Sequence, residues 1–289
     1  MDPISRFARS AQLIRASFGV LAADKELLVL PAISGVACLI LGGAFVWPLT
    51  ASEVLREVSK QAVPVLPDWF WVWLFGFYFV QYFIVIFFNT ALVGAAIARM
   101  AGGDPTVGSA LALAARRVVP ILGYALISAT IGVLLRWIGE RFGFIGRLVE
   151  GMIGLVWTVA TFLVVPVLAA EGIGPMAAID RSTQMLRETW GENIIGNAGI
   201  AVVSGVIGAV VAFAGIGGGV LLVDRGDFDV GVTLITLSAL VLIALFLVSA
   251  TLSGIYAAAV YFYALTGKPP AGFDKALITS AFAEKAGGV

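Results

Sequence analysis

Six long stretches of this chain carry no charged side chain: Leu27–Ser52, Trp69–Ala98, Val118–Leu135, Gly151–Ala170, Asn193–Val223 and Val230–Gly267. A helix needs ~20 apolar residues to cross a hydrocarbon core ~30 Å thick. Each stretch reaches or approaches that length, and a single soluble core of this size could not hide all six. Composition agrees. The chain is 60% hydrophobic and 12% charged, and its mean hydropathy is +1.02. A soluble globule, a disordered chain and a nucleic-acid binder are excluded on these grounds. The expectation is an all-α membrane protein with six transmembrane helices.

The connections between the runs set an orientation. Residues 1–26, 99–117, 171–192 and 268–289 hold 12 of the 18 basic residues, and the opposite side holds the remaining 6. The positive-inside rule places both termini in the cytoplasm, in the inner membrane of a prokaryote. Residues 1–26 contain Arg6, Arg9, Arg15 and Lys25 and do not read as a cleaved signal peptide. Trp47, Trp69, Trp71, Trp73 and Trp137 fall at the outer ends of runs, as an interfacial belt would.

Self-similarity organises the chain further. Arg9-Ser-Ala-Gln-Leu-Ile-Arg-Ala-Ser-Phe-Gly19 matches Arg181-Ser-Thr-Gln-Met-Leu-Arg-Glu-Thr-Trp-Gly191 at five of eleven positions, and the agreement lies in the scarce polar residues. Gly102-Gly-Asp-Pro105, Gly172-Ile-Gly-Pro175 and Gly267-Lys-Pro-Pro270 share the form G-x-x-P, and each follows an even-numbered run. Glycine suits a helix end and proline the first turn of the next helix. The pattern predicts one membrane domain over residues 1–289 with a pseudo-threefold repeat. Its units are 3–102, 105–172 and 175–267, with an amphipathic tail at 268–289. Each unit is a hairpin preceded by a cytoplasmic-side amphipathic interfacial helix, and parallel repeats of this kind are related by an axis along the membrane normal.

The amphipathic stripe is Ile4, Phe7, Ala11, Ile14, Phe18 and Leu21 in the first such helix. In the third it is Met176, Ile179, Thr183, Leu186 and Trp190. The middle helix, 106–117, shares only the punctuation. Such helices either lie among lipid headgroups or pack as connectors under the bundle. On the first reading Arg6, Arg9, Arg15, Arg116, Arg117, Arg181 and Arg187 contact anionic phospholipid.

Chemistry within the runs is sparse. No Asp, Glu, Lys or Arg lies inside them, which argues against a carboxylate proton relay or a voltage sensor. The chain has no histidine and one cysteine, Cys38. That removes the commonest general base and any cysteine-based metal cage, so no cofactor is expected. Gln81 and Asn89 in the second run, and Asn193 and Asn197 in the fifth, either line a polar path or join helices by hydrogen bonds. Small residues at four-residue spacing, such as Gly94, Ala98 and Gly102 or Ser204, Gly208 and Ala212, permit close packing within the chain or between subunits. Asp224–Asp229 reads as a solvated acidic turn. Residues 136–150 read as a short surface helix, with Arg136 and Glu140 paired. The last run is too long for a perpendicular span, with Gly254 the expected flexible point. Gly215–Gly219 is expected to mark the exit of the fifth span.

The basic segment Arg9–Gly19 and the string Asp24-Lys-Glu-Leu-Leu-Val-Leu-Pro31 entering the first span resemble an uncharacterised prokaryotic family of six-span membrane proteins, a domain of unknown function. The G-x-x-P punctuation is similar to that of the membrane domain attached to some glycerophosphodiester phosphodiesterases. The resemblance implies no catalytic residues, and the catalytic domain of those enzymes is absent. The resulting expectation is a non-enzymatic membrane protein that organises lipid or partner proteins and self-associates. The alternatives are a channel or transporter for a small neutral or lipidic solute, and an enzyme acting on lipid.

Overall fold

The computed structural model describes residues 15–22, 24–51, 68–189, 195–268 and 270. Among them every regular element is helical. Residues 15–22 form a short helix and Lys25–Leu28 a 3-10 turn. Then come α1 (Val29–Ala51), α2 (Asp68–Met100), α3 (Val107–Arg116), α4 (Val118–Arg141), α5 (Gly143–Ala160), α6 (Val164–Ala170) and α7 (Pro175–Thr189). After α8 (Ile195–Val211) a π-helical turn, Ala212–Gly217, leads into α9 (Gly218–Asp224), and α10 (Phe228–Thr266) completes the series.

Six stretches are long and apolar enough to cross a membrane: Lys25–Pro48, Trp69–Met100, Val118–Arg141, Gly143–Ala170, Ile200–Asp224 and Phe228–Thr266. Each overlies one charge-free run. Their outer faces carry large apolar side chains in the open: Leu39 is 76% exposed, Val72 75%, Phe144 83% and Phe213 82%. A water-soluble surface does not present apolar area on this scale, whereas lipid tails solvate it without cost. The chain is a multi-pass helical membrane protein.

The α1–α7 stretch belongs mostly to one compact unit, Ala32–Ala95 with Pro105–Glu188. Here α1 and α2 meet through Phe45, whose ring lies 5.9 Å from Trp73 and 5.8 Å from Phe77. Helices α4 and α5 form a tight hairpin. The other unit comprises Met1–Pro31, Ala96–Asp104 and Thr189–Val289. In it α8, the π turn and α9 pack along α10, and the Lys25–Leu28 turn also touches α10.

Burial is concentrated toward one end of each even-numbered span. Residues 90–96 are buried, as are most of 161–169 and all of 254–261. Each stretch precedes a glycine with left-handed backbone: Gly102 (φ 88°), Gly172 (φ 65°) and Gly267 (φ 65°). Those glycines end the helices as the sequence predicts, because only glycine adopts that conformation without a Cβ penalty. The prolines differ among themselves. Pro175 opens α7, but Pro105 lies outside α3, whose cap is Thr106 with a reciprocal bond to Ser109.

Three sequence expectations are corrected, and one feature is new. Residues 136–150 are not a separate surface helix: α4 runs to Arg141, α5 starts at Gly143, and Phe142 alone joins them. The positive φ of Gly143, 56°, makes so short a reversal feasible. Gly215–Gly219 is not the span exit, since the π turn carries the helix on to Asp224. Gly254 does not break α10, which is unbroken over 39 residues. Gly254 is buried there, and packing offsets the ~1 kcal/mol a helical glycine costs. The fourth span is interrupted at residues 161–163. Pro166 explains the interruption: it has no N–H to give to Phe162, and its ring clashes with the Phe162 carbonyl.

Candidate functional site

Helix α7 joins the two helices of one hairpin. At its first residue the Pro175 ring packs on Gly123 of α4, so close that a Cβ there would lie 2.8 Å from Pro175 Cγ. Two turns on, Ser182 reaches the interruption between α5 and α6. Its hydroxyl donates to the Ala160 carbonyl at 2.7 Å and accepts from the Leu163 N–H at 3.2 Å. Seven residues of helix span ~10 Å, the distance between packed helix axes. The face α7 turns inward is Ala178, Ser182, Met185 and Leu186, all buried. Met176, at the head of the expected stripe, is 62% exposed. The buried face is therefore rotated roughly a quarter turn from the sequence stripe. Ala178, Met185, Leu186 and one hydroxyl meet the protein, while Met176 faces outward. Residues 15–22 behave alike: Ser17, Val20 and Leu21 are buried and Phe18 is exposed.

The arginines separate into three groups. Arg15, Arg116 and Arg187 are exposed. Arg117, the one residue between α3 and α4, is half-buried, and its guanidinium lies flat against Gly172 where any Cβ would collide. Arg181 pairs with Glu171, Nε to Oε1 at 3.4 Å. Arg117 and Arg181 thus converge on the neighbouring residues Glu171 and Gly172. Arg6 and Arg9 lie outside the described residues.

The span amides do not come together. Gln81 Nε2 donates to the Cys38 carbonyl of α1 at 3.1 Å and crowds Gly42. It joins two helices, which is the interhelical hydrogen-bond reading of this residue. Asn89 sits two turns further along α2. Asn197 falls within α8, and Asn193 lies outside the described residues.

Residues that the sequence reading noted only singly, or in the case of Tyr124 and Gly132 missed, come together on α4. Tyr124, Ser128, Gly132, Arg136 and Glu140 recur at four-residue spacing and form a ridge that winds slowly around α4 along ~24 Å. Against them stand residues of α2. The Tyr82 hydroxyl fills the space beside Gly132, and the Tyr78 hydroxyl accepts from Arg136 Nη1 at 3.2 Å. Tyr78 and Tyr82 stack at 6.2 Å. Arg136 Nε also pairs with Glu140 at 2.9 Å, as the sequence predicts. Tyr124 interacts with Ser128 and with Thr161 at the interruption. The strict four-residue spacing was the available signal, hidden because tyrosine and glycine count as span material.

Residues 69–273 match the model of a family of unknown function (DUF6159). The chain belongs to DUF6159. The DUF6159 match begins at the head of α2 and extends past α10. It includes the α7 crossing, the Arg117 corner and the α4 stripe, and leaves Cys38 and Gly42 outside. No curated protein and no solved structure matches the chain. The likeness to the membrane domain of the glycerophosphodiester phosphodiesterases gains no support from these comparisons.

Proposed function

We propose that this DUF6159 protein is a non-enzymatic inner-membrane protein that organises anionic lipid, or partner proteins, along the cytoplasmic leaflet, and does so as a self-associated assembly. The observation that carries the reading is the α7 crossing. Helix α7 is fastened to its hairpin at Pro175 and Ser182 while Met176 and Arg187 stay outside. An amphipathic helix held across a hairpin end, with apolar and basic residues turned outward, suits a headgroup layer.

The pseudo-threefold arrangement belongs to the same proposal. Helices α3 and α7 each follow a left-handed glycine, and each buries its fourth and eighth residues, Ala110 with Ala114 and Ala178 with Ser182. Both rest on the preceding span. Leu113 of α3 lies against Gly94 of α2, and Ser182 bridges α5 and α6. The excess of basic residues on this side favours cytoplasmic termini.

The test is lipid selectivity in a bilayer. Energy transfer from the protein's tryptophans to labelled phosphatidylglycerol should exceed that to labelled phosphatidylcholine in mixed vesicles, and rise as salt falls. Equal transfer to both lipids would retire the lipid reading.

A second reading, passage of a small neutral or lipidic solute, draws on the α4 stripe. Vesicle flux that Gly132→Leu abolishes in a folded protein would favour it.

A further inference from the structure

We infer that the corner formed by Glu171 and Gly172 is a phosphate-binding site, with Arg117 and Arg181 as its two arms. The inference rests on the lipid reading above and assigns it a place. Both arms are fixed from behind. Arg117 occupies the single-residue joint of α3 and α4, where its own N–H bonds back to the Ala114 carbonyl at 3.0 Å. Arg181 adjoins Ser182, the residue that fastens α7 to the interrupted span. Guanidinium groups held by rigid elements lose little freedom on binding an anion.

The charge at this corner does not balance. The Glu171 contact occupies Arg181 through Nε alone, at a long 3.4 Å. Arg117 takes no hydrogen-bond acceptor among the described residues and presses instead on Gly172. Exposed Arg116 stands next to it. Two guanidiniums, Arg117 and Arg181, thus meet at Glu171 and Gly172. The corner after α2 differs: Arg99 is paired there with Asp104. At the corner after α10 the described residues include Lys268, which is exposed. Among the described residues, two guanidiniums come together at the middle corner alone. A tetrahedral phosphate accepts paired N–H bonds from guanidinium more readily than any other common anion except a carboxylate. The position, where a span ends and an amphipathic helix begins, suits the phosphate of an anionic lipid. Inorganic phosphate or a soluble phosphomonoester offers the same chemistry.

The experiment uses the full chain in neutral detergent. Native mass spectrometry measures retention of phosphatidylglycerol against phosphatidylcholine, and thermal shift measures binding of inorganic phosphate. Variants are Arg117→Gln, Arg181→Gln, Arg117→Lys and, as a control at a sister corner, Lys268→Gln. Arg117→Gln and Arg181→Gln should each lower phosphatidylglycerol retention roughly tenfold, the scale of one charge-assisted hydrogen bond. Lys268→Gln should change it less than about twofold. Arg117→Lys, which keeps the charge without the planar fork, should fall between them and guards against misfolding. A shift by inorganic phosphate that Arg117→Gln removes, without lipid retention, would support the site with soluble phosphate as its source. Retention unchanged in both glutamine variants, or lowered equally by Lys268→Gln, overturns the site. So does a protein that binds neither probe. If the wild-type chain prefers phosphatidylglycerol in vesicles and the variants do too, this site fails while the lipid reading stands.

Discussion

Gly219 of α9 and Gly231 of α10 meet backbone to backbone. A Cβ on Gly219 would lie 2.8 Å from the Gly231 carbonyl oxygen, and one on Gly231 would lie 2.6 Å from that of Gly219. Neither partner is a flexible side chain that could swing away, so the hairpin tolerates nothing larger than glycine on either side. Gly231→Ala and Gly219→Ala should each destabilise the protein by about 1–3 kcal/mol, the usual cost of overpacking. Gly218→Ala is the control, because its Cβ would meet only Leu234 Cδ2 at a comfortable 3.7 Å. Unfolding in detergent at graded denaturant would check the order. Equal stability of all three variants would contradict the close crossing.

Ser182→Ala should destabilise by about 1–3 kcal/mol, because it orphans the buried Leu163 N–H. The proline supplies a second handle. Pro166→Ala would let the helix run through residues 161–163 and satisfy that N–H internally. The two changes should therefore couple, with Pro166→Ala less harmful in the Ser182→Ala background than in the wild type. A double-mutant cycle reads this directly, and strict additivity would contradict the bridge.

Gly172→Ala should be the worst of the three corner substitutions. Gly102→Ala and Gly267→Ala meet open space and incur only the left-handed backbone penalty, about 1–2 kcal/mol. Gly172→Ala incurs that penalty and also collides with the Arg117 guanidinium. Adding Arg117→Ala should recover the excess and leave the backbone part. Melting temperatures of the four proteins would separate the contributions.

Gln81→Leu should lower stability only slightly, by about 0.6 kcal/mol, the average for a hydrogen bond between membrane helices. Gly42→Ala should act at the same place, since its Cβ would come within 3.1 Å of Gln81 Nε2. Measuring both alone and together tests whether the amide works as a tie. A Gln81→Leu loss several times larger would point to a role beyond joining α1 to α2.

The linear order of residues was enough to place six spans, because lipid accepts almost any apolar side chain and rejects charge, and that preference is written residue by residue. It was enough for the three left-handed glycine ends too, since the backbone conformation they need is local. What the order of residues could not reveal is which neighbour each small or polar residue meets. The Gly215–Gly219 cluster looks like a break until α10 is present to pack against it, and Gly254 looks like one until it is buried within the fold. The α7 stripe does not coincide with the face that packs on the protein, because Ser182 finds its partners at the α5–α6 interruption while Met176 stays outside. Gln81 and Tyr82 sit side by side on α2, yet one joins α1 and the other fills the space beside Gly132. Only the packing of helices distant in sequence decided that, because hydrogen bonds and close backbone approaches depend on distances that the chain alone does not fix.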